Sequence, residues 1–167
     1  MKHITSRQIA LNGLIAGLYA VVTILTASFA YGNIQFRLAE ALCLLVALEP
    51  TLTVGLTLGC LIANLFSTVS ALDIIVGTAA TLLACLLTRY IKNTWLLPLP
   101  TILRNMLMVG AMLSWLYMPS EQFWYGLLVF GGEVGAGEAA VLYVLGIPLY
   151  YAMKKTNFIE KLLHPKH

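Results

Sequence analysis

The chain has 167 residues, 60% of them hydrophobic and 10% charged, with ten Lys and Arg against seven Asp and Glu. A soluble domain carries charge on about a quarter of its residues, so this composition, with a mean hydropathy of +0.87, excludes an ordinary water-soluble domain and points to an integral membrane protein. The net charge of +3 is small, and the basic residues are scattered between apolar runs, which argues against nucleic acid as a partner.

A helix rises about 1.5 Å per residue and needs about 20 residues to cross the hydrocarbon of a bilayer. On that scale the sequence reads as one membrane domain over residues 1–167, an all-α bundle of six transmembrane helices. The first is predicted over 9–30. It follows Lys2 and Arg7 as a signal peptide would, but its apolar run is too long for one and further apolar segments follow. A loop over 31–35 leads to a second segment over 36–48, short for a full crossing, which stops at the turn signal Glu49-Pro50. Segments over 51–66 and 72–90 come next, then Lys92, Asn93, Pro98 and Pro100. A fifth over 101–118 ends at Pro119. The aromatic stretch SEQFWYGLLVFG over 120–131 is too short to span and suits an interfacial or re-entrant piece. The sixth segment, over 132–153, runs into Lys154-Lys155.

Charge then sets orientation. With the N-terminus in the cytoplasm and six crossings, Lys2, Arg7, Arg89, Lys92, Lys154, Lys155, Lys161 and Lys166 all fall on cytoplasmic ends. Arg37 falls outside, and Arg104 lies just within the fifth segment. This positive-inside bias puts both termini in the cytoplasm. Cys43, Cys60 and Cys85 each sit inside an apolar run without C-x-x-C spacing, so they read as buried filler.

Charged groups inside membrane segments are expensive and are kept where they face a cavity or a partner. Helix arithmetic puts Asp73 and Glu138 each 16 residues from a basic end, about 24 Å from the cytoplasmic face. Asn64 comes out at a similar depth, and Gln35, Arg37 and Glu40 begin the second segment. Residues from four segments therefore converge on the outer third of the membrane, which reads as an outward-open polar pocket. Competing structural readings are an Arg37–Glu40 pair three residues apart and Asp73 as a helix N-cap. Glu133 reads as solvated near the headgroups. Arg104 and Asn105 count to the cytoplasmic end and read as caps, snorkelling groups or partner contacts. Tyr31, Phe36, Phe123, Trp124 and Tyr125 lie at the outer level, either as an aromatic belt or as faces for stacking a flat heterocycle.

The first segment carries small residues at helical spacing. Gly13-x-x-x-Gly17 and Ala16-x-x-x-Ala20 let another helix approach closely, inside the bundle or from a second membrane subunit. There is no G-x-x-x-x-G-K-[ST] loop and no H-E-x-x-H, and the three histidines lie in the tails, so catalysis and direct nucleotide use are unsupported.

The elements GNIQFRLAEAL, GCLIANLF, LDIIVGTAATLLA and GEAAVLYVLGIPL, in that order, resemble the QueT family over nearly the whole chain. The resemblance implies an S-component of an energy-coupling factor (ECF) transporter. Such a subunit captures a queuosine precursor, a 7-deazaguanine such as preQ1 or preQ0, from outside. It implies docking, through Gly13, Ala16, Gly17 and Ala20, onto a transmembrane coupling subunit of EcfT type. Two cytoplasmic ATPases use the ATP, and this chain carries no cofactor or metal. Of the two acids in GGEVGAGEAAV, the family-like Gly-Glu aligns with Gly137-Glu138. Glu138 is then the carboxylate expected to take adjacent ring N–H and amino donors as a bidentate pair. Glu40 or Asp73 comes next for that role, a cationic aminomethyl group calls for a second carboxylate, Asn64 and Gln35 serve O6 and the pyrrole N–H, and Trp124 or Phe36 stacks the ring, with Arg37 in the same group. Other readings are an S-component for a different vitamin-like heterocycle, an autonomous ion-coupled carrier, or a scaffold. The scaffold would show itself by Glu40, Asp73 and Glu138 all engaged in internal pairs.

Overall fold

The computed structural model describes residues 5–30 and 36–163, with the side chains of 29 and 30 left aside. The described chain is all-helical: α1 (Ser6–Leu25), a short α2 (Ala27–Ala30), a 3-10 helix (Leu38–Ala47), α3 (Leu52–Asn64), α4 (Leu72–Thr88), α5 (Leu99–Tyr117), α6 (Phe123–Val141), α7 (Ile147–Thr156) and α8 (Phe158–Leu163). By length and composition, three helical stretches among the described residues suffice to cross a membrane: Ser6–Leu25, Thr94–Tyr117 and Ser120–Thr156. The apolar helices Leu38–Ala47, Leu52–Asn64 and Leu72–Thr88 are shorter.

The helices form an arc around a central pillar. α1 packs on α3, α3 on α4, α4 on α5 and α5 on α6. The 3-10 helix touches α1, α3, α4, α6 and α7. Its sequence explains that place. It is apolar on every side apart from Glu40, and a helix with no polar face must be enclosed; residues 39 to 46 are all buried. Its ten residues rise about 2.0 Å each, reaching about 20 Å where an α-helix would reach about 15 Å. The tight winding thus compensates for the shortness of this segment. It also stacks residues three apart, so Arg37, Glu40 and Cys43 share one side.

Small residues set the seams. A Cβ added at Gly59 would lie 2.7 Å from the Ala16 carbonyl oxygen, and one at Gly55 would lie 2.5 Å from that of Asn12. α3 therefore lies directly on the backbone of α1. Asn12 Oδ1 also accepts a hydrogen bond from the Gly55 amide at 2.7 Å. At the other seam a Cβ on Gly110 would lie 2.6 Å from Gly131 Cα.

The stretch over 120–131 is not a separate interfacial piece. From Phe123 onward it is helical and continuous with the sixth segment. Gly131 admits α5, and that packing outweighs the weak helix propensity of glycine. The combined helix Ser120–Thr156 has 37 residues, far more than the ~20 a crossing requires. A π turn over Leu142–Gly146 interrupts it just before Pro148, whose ring nitrogen cannot donate to the preceding turn.

Candidate functional site

Buried polar side chains gather at three places in the bundle. The upper one lies where α3 hands over to α4. Arg37 Nη2 donates to Asp73 Oδ2 at 2.9 Å and to Asn64 Oδ1 at 3.1 Å. Asn64 Nδ2 donates to the Asp73 carbonyl at 3.0 Å, and the Ser67 hydroxyl donates to Asp73 Oδ2 at 2.7 Å. Arg37, Asn64 and Asp73 are all buried. The floor under the guanidinium is Gly77, where a Cβ would lie 2.7 Å from Asn64 Nδ2 and 3.3 Å from Arg37 Nη1. Arg37 therefore pairs across the bundle with Asp73 rather than along its own helix with Glu40. Asp73 sits inside the first turn of α4, past an N-cap at Ala71, so it is not the cap.

The lower assembly is centred on Glu40, 0% exposed. Its Oε1 accepts from the Tyr19 hydroxyl at 2.5 Å and the Thr81 hydroxyl at 3.0 Å, and its Oε2 accepts from the Cys43 thiol at 3.0 Å. Thr81 lies eight residues below Asp73 on α4, about 12 Å deeper. The Thr81 hydroxyl oxygen also lies 3.2 Å from Cys60 Sγ. Cys43 and Cys60 are buried as expected, and they belong to the polar network as well as to the apolar core.

Across from Glu40, α5 and α6 contribute a further pair. Asn105 Nδ2 donates to Glu138 Oε1 at 2.8 Å. Both residues are 1% exposed, and Glu138 lies within electrostatic reach of Glu40 and Arg37. Glu138 Oε2 and Asn105 Oδ1 have no hydrogen-bond partner among the described residues, and neither does Asp73 Oδ1. Such buried acceptors are costly when no donor is supplied.

Arg37, Asn64 and Asp73 are thus brought into direct contact. Glu40 and Glu138 lie deeper and are not hydrogen-bonded to them. Phe36 is half-buried. Trp124 is 74% exposed and lies with Trp115, Met118, Ser120 and Phe123 on the bundle surface, away from the polar groups. Gln35, like Tyr31, lies outside the described residues. On α1, Ala16 and Ala20 are buried, Ala16 against Gly59 of α3, so neither lies on an open face. Gly13 and Gly17 are exposed, with nothing within 4 Å of an added Cβ.

Asn105 is the functional candidate whose role was passed over, and Glu138 is the residue that depth counting placed too far out, since the two meet at 2.8 Å. The signal was the α5–α6 hairpin. Folding the chain about Pro119 and Ser120 brings Gly110 opposite Gly131 and Asn105 close to Glu138. Reading 120–131 as non-spanning concealed that register.

The family described as QueT transporter matches residues 9–155. The chain belongs to the QueT transporter family. The family is one of transporters rather than enzymes, and together with the long apolar helices it makes the chain a multi-pass protein of the cell membrane. The chain is also similar to the protein named "Queuosine precursor transporter QueT" of Lactococcus lactis subsp. cremoris (strain MG1363), at 32% identity over 84 residues. That match covers 49% of this chain and 49% of the relative, about half of each. No solved structure matches.

Proposed function

We propose that the chain is the substrate-binding S-component of an ECF-type importer and that it captures a queuosine precursor of the 7-deazaguanine class. The observation that carries this reading is the under-satisfied acceptor set in the core. A bundle whose acids were structural only would spend each of them on internal donors. Glu40, Asp73 and Glu138 all make internal bonds, as a scaffold would have them do. Yet Asp73 Oδ1, Glu138 Oε2 and Asn105 Oδ1 remain without donors among the described residues. A flat, donor-rich heterocycle with a cationic arm supplies what they lack. The name of the Lactococcus relative points to the same solute class.

Six crossings, with the 3-10 helix as the second, bring Arg7, Arg89, Lys92, Lys154, Lys155 and Lys161 to one end and the Arg37–Asp73 cluster toward the other. The positive-inside bias makes the first end cytoplasmic, with both termini there, and the cluster faces outward. Gly13 and Gly17 leave α1 open to a transmembrane coupling subunit, behind which two cytoplasmic ATPases supply the energy.

The test is a binding screen on the purified chain, read by tryptophan fluorescence and calorimetry. Saturable binding of 7-deazaguanines is expected, with none of riboflavin or thiamine; the reverse pattern rejects the substrate class. In vesicles the chain without partners should show no ATP-driven uptake. Concentrative uptake by the chain without partners would favour an autonomous carrier instead.

A further inference from the structure

We propose that Asn105 is a specificity-determining residue: with Glu138 it forms an acceptor–acceptor pair that reads a donor–donor edge of a planar ligand, one hydrogen bond to each residue. The inference rests on the capture of a 7-deazaguanine proposed above and adds how the ring's edge is recognised.

The hydrogen bond from Asn105 Nδ2 to Glu138 Oε1 at 2.8 Å fixes which way the amide faces. Reversing the amide would set its oxygen against the carboxylate, two acceptors with no proton between them. Oδ1 is therefore held as an acceptor directed away from that bond. Glu138 has one oxygen engaged and Oε2 without a partner, and Asn105 Oδ1 is in the same condition. The flanking residues Met106, Val109, Val134 and Gly135 offer no side-chain donor. One turn before Asn105 on α5, the buried Thr101 hydroxyl is likewise without a hydrogen-bond partner among the described residues. The helices are pinned together between one and two turns away by Gly110 against Gly131, so the pair is presented on a rigid seam.

Two acceptors without donors on one hydrogen-bonded pair of side chains suit two N–H donors on one edge of a planar ligand. The ring N–H and exocyclic amine of a 2-amino-4-oxo heterocycle have that arrangement. A single carboxylate taking both donors is the simpler scheme, but here Glu138 Oε1 already accepts from Asn105, and the two acceptors left without any donor are Glu138 Oε2 and Asn105 Oδ1. Sharing the edge between two residues makes each donor separately necessary, because removing either leaves a buried acceptor unpaired.

The experiment titrates the full chain with three probes: 7-deazaguanine, its analogue without the exocyclic amine, and its analogue whose adjacent ring nitrogen carries no hydrogen. Wild type should lose at least about 100-fold in affinity on either deletion. Asn105→Ala should erase one of these two penalties and keep the other. Wild type that binds 7-deazaguanine but shows neither penalty overturns the proposal, and that outcome needs no variant to fold. A folded Asn105→Ala that keeps both penalties also overturns it. Wild type that binds none of the three overturns the capture reading itself.

Discussion

In the upper cluster, Arg37 meets Asp73 at 2.9 Å and the two charges cancel, with Asn64 and Ser67 filling in around them. At the α5–α6 seam, Glu138 meets Asn105 at 2.8 Å, and the bond is to a neutral amide. Both sites are buried and polar, but they solve the cost of burial differently. A compensated ion pair holds three elements together: the start of the 3-10 helix, the end of α3 and the start of α4. An uncompensated carboxylate holds nothing that a neutral amide could not hold. Its second oxygen, without a partner among the described residues, is explained by a ligand that brings a donor to it. The upper cluster reads as a clamp, and the α5–α6 pair reads as a reader.

The largest effect should come from breaking the clamp. Arg37→Ala removes the cation and leaves Asp73 buried, which should cost about 3–5 kcal/mol of stability, measured by thermal or denaturant unfolding in detergent. The double variant Arg37→Ala/Asp73→Ala should recover part of that loss, since it no longer strands a charge. If the single variant unfolds like wild type, Arg37 and Asp73 do not form a clamp.

The reader should respond in the opposite sense. Glu138→Gln keeps the shape of the side chain and its bond to an amide, so the unfolding midpoint should stay level or rise. Binding should fall, because a hydrogen bond to a charged group contributes about 1.5–3 kcal/mol, or roughly 10- to 150-fold in affinity. Calorimetric titration of a 7-deazaguanine against both proteins decides it. A destabilised Glu138→Gln with unchanged affinity would make Glu138 part of the scaffold.

The contrast between clamp and reader also explains what could be read in advance. The membrane bundle, the ends of α3 and α4, and the meeting of Arg37, Asn64 and Asp73 followed from apolar run lengths and from distances to basic ends. Those quantities are local to one helix. The 3-10 winding of 38–47 was not legible, because it answers the length of the surrounding helices rather than any residue in LAEALCLLVA. Asn105 was missed for a similar reason. Its depth follows from the register of α5 on α6, and that register is set by Gly110 meeting Gly131. Which acid is compensated depends on what lies across the bundle, a property of packing rather than of spacing.

The mildest test compares two glycines whose surroundings differ completely. At Gly77 a Cβ would lie 2.7 Å from Asn64 Nδ2 and 2.8 Å from Asp73 Oδ1. Gly77→Ala must therefore push apart the groups the clamp depends on, and overpacking of this kind costs about 1–3 kcal/mol. At Gly13 nothing lies within 4 Å, and alanine favours a helix over glycine by up to about 1 kcal/mol. Gly13→Ala should leave the isolated chain as stable as wild type, or slightly more so, with ligand affinity unchanged. Uptake with the coupling subunit and ATPases present then isolates the remaining role of that face. A larger side chain, Gly13→Leu, should depress uptake while binding by the purified chain stays intact. Uptake equal to wild type in Gly13→Leu would mean that the open face of α1 meets only lipid.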